Sequence, residues 1–180
     1  MQMYLKSVKI IAFLSLFVFV ASCSDDEEES REPLIIGTWS LESQELTNIR
    51  ADISGFSQDI TDQLPEEYRD LEIFPEDATI TFNEDRTYVV DTPDEDNVLD
   101  GSWELSDDEE VITITGLDQA EALLGSTTLP FVIQDISATN LSLLASVSDI
   151  RIPDDIDVSG IPFDVSAVSF SGDYQLDLQK

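Results

Sequence analysis

From Ala78 onward, apolar and polar residues alternate in short runs separated by turn residues, and this period-two pattern leaves few folds open. Successive side chains on a strand point to opposite faces, so alternation marks a strand with one face buried. Ala78–Phe82 and Thr87–Val90 read as a hairpin around the polar turn Asn83–Arg86, and Leu99–Leu105 and Val111–Thr115 flank the turn Ser106–Glu110. Further strands are predicted at Leu129–Ile136 and Leu141–Val147, then, after the Pro-containing loop Asp149–Pro162, at Phe163–Phe170 and Tyr174–Leu178. Upstream, the same alternation over Ile35–Glu42 marks the first strand, entered from a linker, Ser30–Leu34, that contains Pro33. Strands joined in sequence by tight turns predict an all-β fold, an up-and-down antiparallel barrel of eight or nine strands that closes its own edges. A β-sandwich is the alternative, and the short links favour the barrel.

One stretch has a different period. Ile49, Ile53, Phe56, Ile60 and Leu64 are spaced 4, 3, 4 and 4, with Asp52, Ser57, Asp59 and Asp62 between them. That spacing predicts an amphipathic helix inserted after the first strand and stopped by Pro65, with a second helical piece over Pro65–Asp70. Gly55 inside it costs about 1 kcal/mol relative to Ala, so the helix needs something to pack on. It reads either as a plug over one barrel end or as a lid or partner-docking helix. A shorter helix is predicted from Asp118, where Asp118 and Glu121 have capping-box spacing and Gly125 can close it.

Composition narrows the chemistry. The chain has no His and one Cys, Cys23, so Cys/His zinc sites, His-dependent triads and disulfides within the fold are excluded. Stability must come from a core, which a domain of this length can bury. Against 8 Lys+Arg stand 39 Asp+Glu, a balance hostile to nucleic acid and to anionic headgroups. Catalysis would have to rest on carboxylates, as in many glycosidases. So many acids make any chosen pair uninformative, and no catalytic residue is assigned.

The N-terminus has the parts of a secretory signal: Lys6 and Lys9, an apolar run Ile10–Val20 broken by Ser15, and small residues Ala21 and Ser22. The apolar run is too short to span a bilayer. Val20-Ala21-Ser22-Cys23 resembles a bacterial lipobox, which implies cleavage after residue 22 and lipidation of Cys23. Stable anchoring takes more than one acyl chain, which lipoprotein acylation (palmitate-type chains) supplies. Ser24-Asp25-Asp26-Glu27-Glu28-Glu29 reads as a solvated acidic tether, and it also resembles the surface-export signal of Gram-negative lipoproteins. The organisation expected is a signal peptide over 1–22, lipidated Cys and acidic tether over 23–33 and one domain over 34–180, held at the outer membrane and facing the exterior. Losing Lys6 and Lys9 with the leader leaves 6 Lys+Arg against 39 acids, a net −33.

Gly37-Thr38-Trp39 on the first strand resembles the lipocalin and wider calycin signature. With Ile80–Tyr88 and Gly101-Ser102-Trp103-Glu104, the chain is similar to small bacterial lipocalin-like lipoproteins over roughly Leu34–Lys180. Those proteins usually carry Gly in the turn where this chain has Arg86. Lipocalins place an Arg near the last strand over the first-strand Trp, and here the last strand offers Lys180. The resemblance implies a barrel with Trp39 as a structural plug at one end. It also implies a cavity for a small hydrophobic or amphiphilic ligand.

By alternation the inward candidates for that cavity are Phe82, Tyr88, Trp103, Ile112, Ile114, Phe131, Ile133 and Leu143, each with plain core as its other reading. An eight-stranded barrel is either filled by side chains or just wide enough for one small ligand. Asp155, Asp157 and Ser159, followed by Gly160, match the first half of a calcium loop, but Ser166 stands where the bidentate Glu belongs. A solvated acidic loop or a weak calcium site are the two readings there and at Asp94-Glu95-Asp96; no other cofactor is implied. The functional expectation is a non-enzymatic outer-membrane lipoprotein binding a small apolar ligand. The alternative is an accessory subunit with a filled barrel that docks on an outer-membrane partner protein.

Overall fold

A computed structural model describes residues 30–53, 56–64, 69, 72–92, 99–151 and 168–180. Nine strands form one antiparallel sheet: β1 Gly37–Ile53, β2 Phe56–Asp59, β3 Thr79–Phe82, β4 Thr87–Asp91, β5 Leu99–Leu105, β6 Val111–Thr115, β7 Thr128–Ile136, β8 Asn140–Ser148 and β9 Ser169–Gln179. The order is β2-β1-β3-β4-β5-β6-β7-β8-β9, and β1 also pairs with β9. Eight strands therefore close into a barrel, and β2 is an extra strand outside it. Short helices α1 Glu32–Ile35 and α2 Asp118–Leu124 flank the sheet.

The inward faces follow the alternation. On β9, Phe170, Tyr174, Leu176 and Leu178 are buried, as are Leu141, Leu143, Ala145 and Val147 on β8. Each turns its neighbours outward to water. The β3–β4, β5–β6 and β7–β8 turns, α1 and Lys180 lie at one end of the barrel. The end of β1, β2, the turn Thr61–Gln63 and α2 lie at the other, so the two ends carry different machinery.

The helix predicted over Ile49–Leu64 does not form. β1 runs on to Ile53, β2 returns along it (Arg50↔Asp59 to Ile53↔Phe56), and a 3-10 turn follows at Thr61–Gln63. The cause is a chain reversal. Ile49 lies on β1, Phe56 on β2 and Ile60 and Leu64 beyond it, so apolar residues of successive antiparallel segments fall at helical spacing; Ile49, Ile60 and Leu64 are buried while Phe56 is exposed. Just upstream a bulge shifts the register to β9 between Thr47 and Arg50, with Asn48 at φ 49, so the buried positions run Leu46, Ile49, Ala51. Pairing with β9 from Ser40↔Gln179 to Asp52↔Ser169 outweighs a Gly-containing helix of weak propensity. The second helical piece proposed for Pro65–Asp70 lies largely outside the described residues.

Three boundaries also move. The linker Ser30–Leu34 contains α1, with Pro33 in its first turn, and the strand starts at Gly37 rather than Ile35. The final strand merges with the end of the one expected at Phe163–Phe170, as β9; residues 163–167 are outside the described set. α2 ends at Gly125 in the left-handed conformation (φ 69), as the sequence predicts, but its N-cap is Leu117 and no side chain caps it. Asp118 sits one position too far into the helix to cap it.

Gly101 shows why the second Gly-x-Trp carries glycine. It faces Tyr88 across the β4–β5 pair, and a Cβ there would lie 2.6 Å from Tyr88 Cε1 and 2.1 Å from Thr115 O. The tyrosine ring covers the space a side chain would fill. Gly101→Ala is expected to cost at least about 2–3 kcal/mol by overpacking. Gly125→Ala meets nothing closer than 3.9 Å and is expected to cost about 1 kcal/mol, from its left-handed backbone alone. Urea unfolding of the two variants checks the difference.

Candidate functional site

The eight residues proposed for a cavity come together in one cluster. Phe82, Tyr88, Trp103, Ile112, Ile114, Phe131, Ile133 and Leu143 are all between 0% and 8% exposed. A ligand-sized void would leave accessible surface on its lining, and these side chains have almost none. Instead they meet one another. Phe82 packs edge-on to Trp103 (5.9 Å between centroids), and Phe131 packs edge-on to Tyr174 (6.4 Å). Such contacts are worth about 0.5–1.5 kcal/mol beyond the area they bury. Burial, then the charges of Asp100 and Asp118, pushes the Tyr88 phenol up to about 12. Burial also raises the Tyr174 phenol.

Surface depressions lie elsewhere. One of about 490 Å³ is bounded by Ser30, Glu32, Pro33, Ile36 and Glu84. Another, of about 350 Å³, lies among Leu41, Gln44, Glu72, Glu76 and their neighbours. Neither is lined by the interior cluster.

Trp39 closes one end of the barrel. It is fully buried, and its indole N–H donates to the Ile35 carbonyl at 2.7 Å. Lys180 takes the place over it that the lipocalin resemblance gives to Arg. Its ammonium lies 4.2 Å from the Trp39 ring centroid and donates to the carbonyls of Leu34 (2.9 Å) and Ile36 (3.1 Å). Burial holds its pKa below the usual lysine value.

Trp103 has the same arrangement at the same end. Its N–H donates to Thr87 O at 3.1 Å, and the Arg86 guanidinium lies 4.4 Å over its ring. Arg86 also pairs with Glu32 on α1 at 2.7 Å. It holds φ 68, a left-handed backbone that costs a non-glycine residue about 1–2 kcal/mol. A cation over an indole returns about 1 kcal/mol and a half-exposed ion pair a few tenths, so the exchange is close to neutral in energy. What Arg86 adds over glycine is a grip on α1.

Glu109 repeats the device in the next turn at this end, with φ 56. Its carboxylate accepts from Ser30 Oγ at 2.7 Å and from the Arg31 backbone N–H, while its carbonyl accepts from Arg31 Nη1 at 3.2 Å. Residues 30–36 are thus held by four separate parts of the barrel, through Trp39, Arg86, Glu109 and Lys180. The sequence drew attention to Trp39, to Arg86 at a turn position where glycine is usual and to Lys180 on the last strand, but not to what Arg86 and Lys180 hold. Glu109 was missed altogether.

At the other end Gln44 does the holding. Its Oε1 accepts from the backbone N–H groups of Ile73 and Phe74 (3.1 Å each) and from Tyr174 Oη (2.6 Å), and its Nε2 donates to Phe74 O (2.6 Å). This draws buried Ile73 and Phe74 against β1. Nothing in the sequence marks Gln44.

Four carboxylates are held below the usual carboxylate range by hydrogen bonds: Asp59 by Thr61, Asp85 by Thr87, Asp108 by Ser106 and Glu109 by Ser30. Among the described residues no group of three or more acids is arranged to hold a metal ion. The calcium candidates Asp155, Asp157 and Ser159, the stretch Asp94-Glu95-Asp96 and the lipidation candidate Cys23 lie outside the described residues.

Two predictions follow from this geometry. Lys180→Met keeps the stem but removes the donor and the cation, and is expected to lower stability by about 1–2 kcal/mol. Arg86→Gly should change global stability by less than about 1 kcal/mol, yet hydrogen exchange at the α1 amides should speed up. A third concerns pH. The four depressed carboxylates contribute stability that is complete above their ordinary values near about 4 and is lost as pH falls below them. Self-repulsion among 39 acids acts in the opposite sense and fades on acidification. Thermal melts should therefore show Tm rising from pH 7.5 toward about 5 and falling below about 4, with added salt raising Tm at pH 7.5.

No protein-family model, no curated protein and no solved structure matches this chain.

Proposed function

We propose that the chain is an outer-membrane lipoprotein, anchored through Cys23 and displayed outward on its acidic tether. Its lipocalin-like barrel serves as a non-catalytic interaction module rather than as a carrier. The observation that carries this reading is the filled interior: the eight candidate cavity residues are at most 8% exposed and pack on one another. A barrel spent on its own core leaves its outer surface and ends for recognition. The strongly acidic balance points that surface toward basic partners.

A second reading, a carrier for one small apolar or amphiphilic ligand, has its own support. The buried side chains of the described residues are all apolar or aromatic, and one Gln44 clasp holds Ile73 and Phe74 at the end away from α1. Entry would require that clasp to open.

Two experiments separate these readings. Labelled palmitate should be incorporated by the full chain and not by Cys23→Ser, and surface proteolysis of intact cells should digest the barrel; absence of both defeats the anchor. Native mass spectrometry of Ser24–Lys180, purified without detergent, should give a clean apo mass with and without calcium. A lipid-mass adduct lost on solvent extraction would favour the carrier, and a calcium adduct would assign the acidic loops.

A further inference from the structure

The one strand that the barrel does not use is β2. All four of its residues, Phe56–Asp59, are exposed. Phe56 is 82% exposed, far beyond the 45% of Val132, the other large exposed hydrophobic of the described residues. Elsewhere the β1–β9 pairing removes the sheet's edges, but among the described residues β2 pairs only with Arg50–Ile53 of β1. Among the described residues its other side is an open ladder of backbone donors and acceptors, which natural sheets ordinarily cover or shorten.

This strand is held in place. Ile60 N–H donates to Ile49 O (2.8 Å), Ile49 N–H to Thr61 Oγ1 (2.8 Å), and Arg50 Nε to Ser57 Oγ (2.8 Å). Ile49, Ala51 and Ile60 are fully buried beneath it. Hydrogen-bonded pairs alternate along an antiparallel ladder. With Ile49 and Ile60 bonded, Phe56 and Gln58 turn their backbone groups to β1, and Ser57 and Asp59 turn theirs to the open side.

Position and charge select the occupant. Resting on the proposed anchor, the seven residue steps from Cys23 to Ser30 reach at most about 25 Å. Residues 30–36 are docked at the opposite end of β1 from β2, and β1 is 17 residues long. A strand of that length spans roughly 56 Å, or about 40 Å along a tilted barrel, so β2 points away from the chain's own membrane. Around β2 lie exposed Asp52, Asp59 and Asp62 together with Arg50, in a chain of net charge −31. A second copy and anionic headgroups are repelled alike.

We propose that β2 is a strand-addition site: an extended segment of a basic partner protein pairs with Ser57 and Asp59, seats an apolar pocket over Phe56 and sets Lys or Arg against Asp52, Asp59 and Asp62. Backbone pairing supplies affinity, and Phe56 and the acids supply selection.

The test uses the full chain in neutral detergent micelles, whose binding does not depend on whether Cys23 is lipidated; the palmitate experiment reads the anchor separately. The probe is a short labelled peptide alternating Val and Lys, with its Val/Glu twin as control. The Lys peptide should bind and the Glu peptide should not. Phe56→Ser and Ser57→Pro should each weaken binding at least about tenfold while leaving Tm unchanged, and Val132→Ser should leave binding unchanged. Equal binding by wild type and Phe56→Ser would show attraction to the acidic surface alone and overturn the proposal. So would no binding by wild type. Phe56-dependent dimerisation in sedimentation, or Phe56-dependent binding to phosphatidylglycerol vesicles, would overturn it in favour of self-association or a membrane.

Discussion

Pairing of β1 with β9 is the constraint on which the rest of this structure depends. It joins the first strand to the last, turns a meander into a closed barrel, and does so over most of the length of β1. Loop closure on that scale is entropically expensive, but once made it removes both sheet edges and encloses one apolar interior. The two register shifts along the pair let a long strand bend around the barrel while keeping Trp39, Leu46, Ile49 and Ala51 inward. β1 outruns β3, whose pairing stops at Ser40, and β2 takes up the far stretch Arg50–Ile53.

The end of the barrel that receives residues 30–36 is built by a repeated trade. Arg86 and Glu109 occupy left-handed turn positions where glycine would be unstrained, and each uses its side chain to hold the incoming segment. Lys180 completes the set by satisfying two carbonyls while lying over Trp39. Two tryptophans on Gly-x-Trp strands each bear a cation at this end. The glycines serve a related purpose: Gly37 leaves room for the Lys180 stem, and Gly101 for the Tyr88 ring. If the acidic stretch tethers the domain to a membrane, this is the end that takes up the tether.

The interior and the surface divide the work differently from a hollow barrel. Aromatic and aliphatic side chains fill the space that strand number alone would allow for a small ligand. Charge is kept outside, where carboxylates cap turns through neighbouring Ser and Thr residues. The proposed interaction-module reading rests on this division: it assigns recognition to the rim and to the extra strand.

Much of the barrel was legible in the sequence because alternation is local: each residue on β3, β4, β6, β8 and β9 reports its own face, and polar turns mark where the chain reverses. The inward cluster could be named residue by residue for the same reason. The region from Ile49 to Leu64 could not be read that way. There the chain reverses between β1 and β2, so apolar residues of two strands fall at helical spacing, and only the distant partner β9 shows that the segment is a strand. Gln44 and Glu109 went unmarked, and Arg86 and Lys180 were noticed without their roles, for a related reason: those roles are set by the groups they face across the barrel, from segments far away in sequence. Likewise, alternation says which side chains point inward, but not whether they leave a space between them. That depends on how side-chain volumes from all eight strands meet, and volume is settled only when the barrel closes.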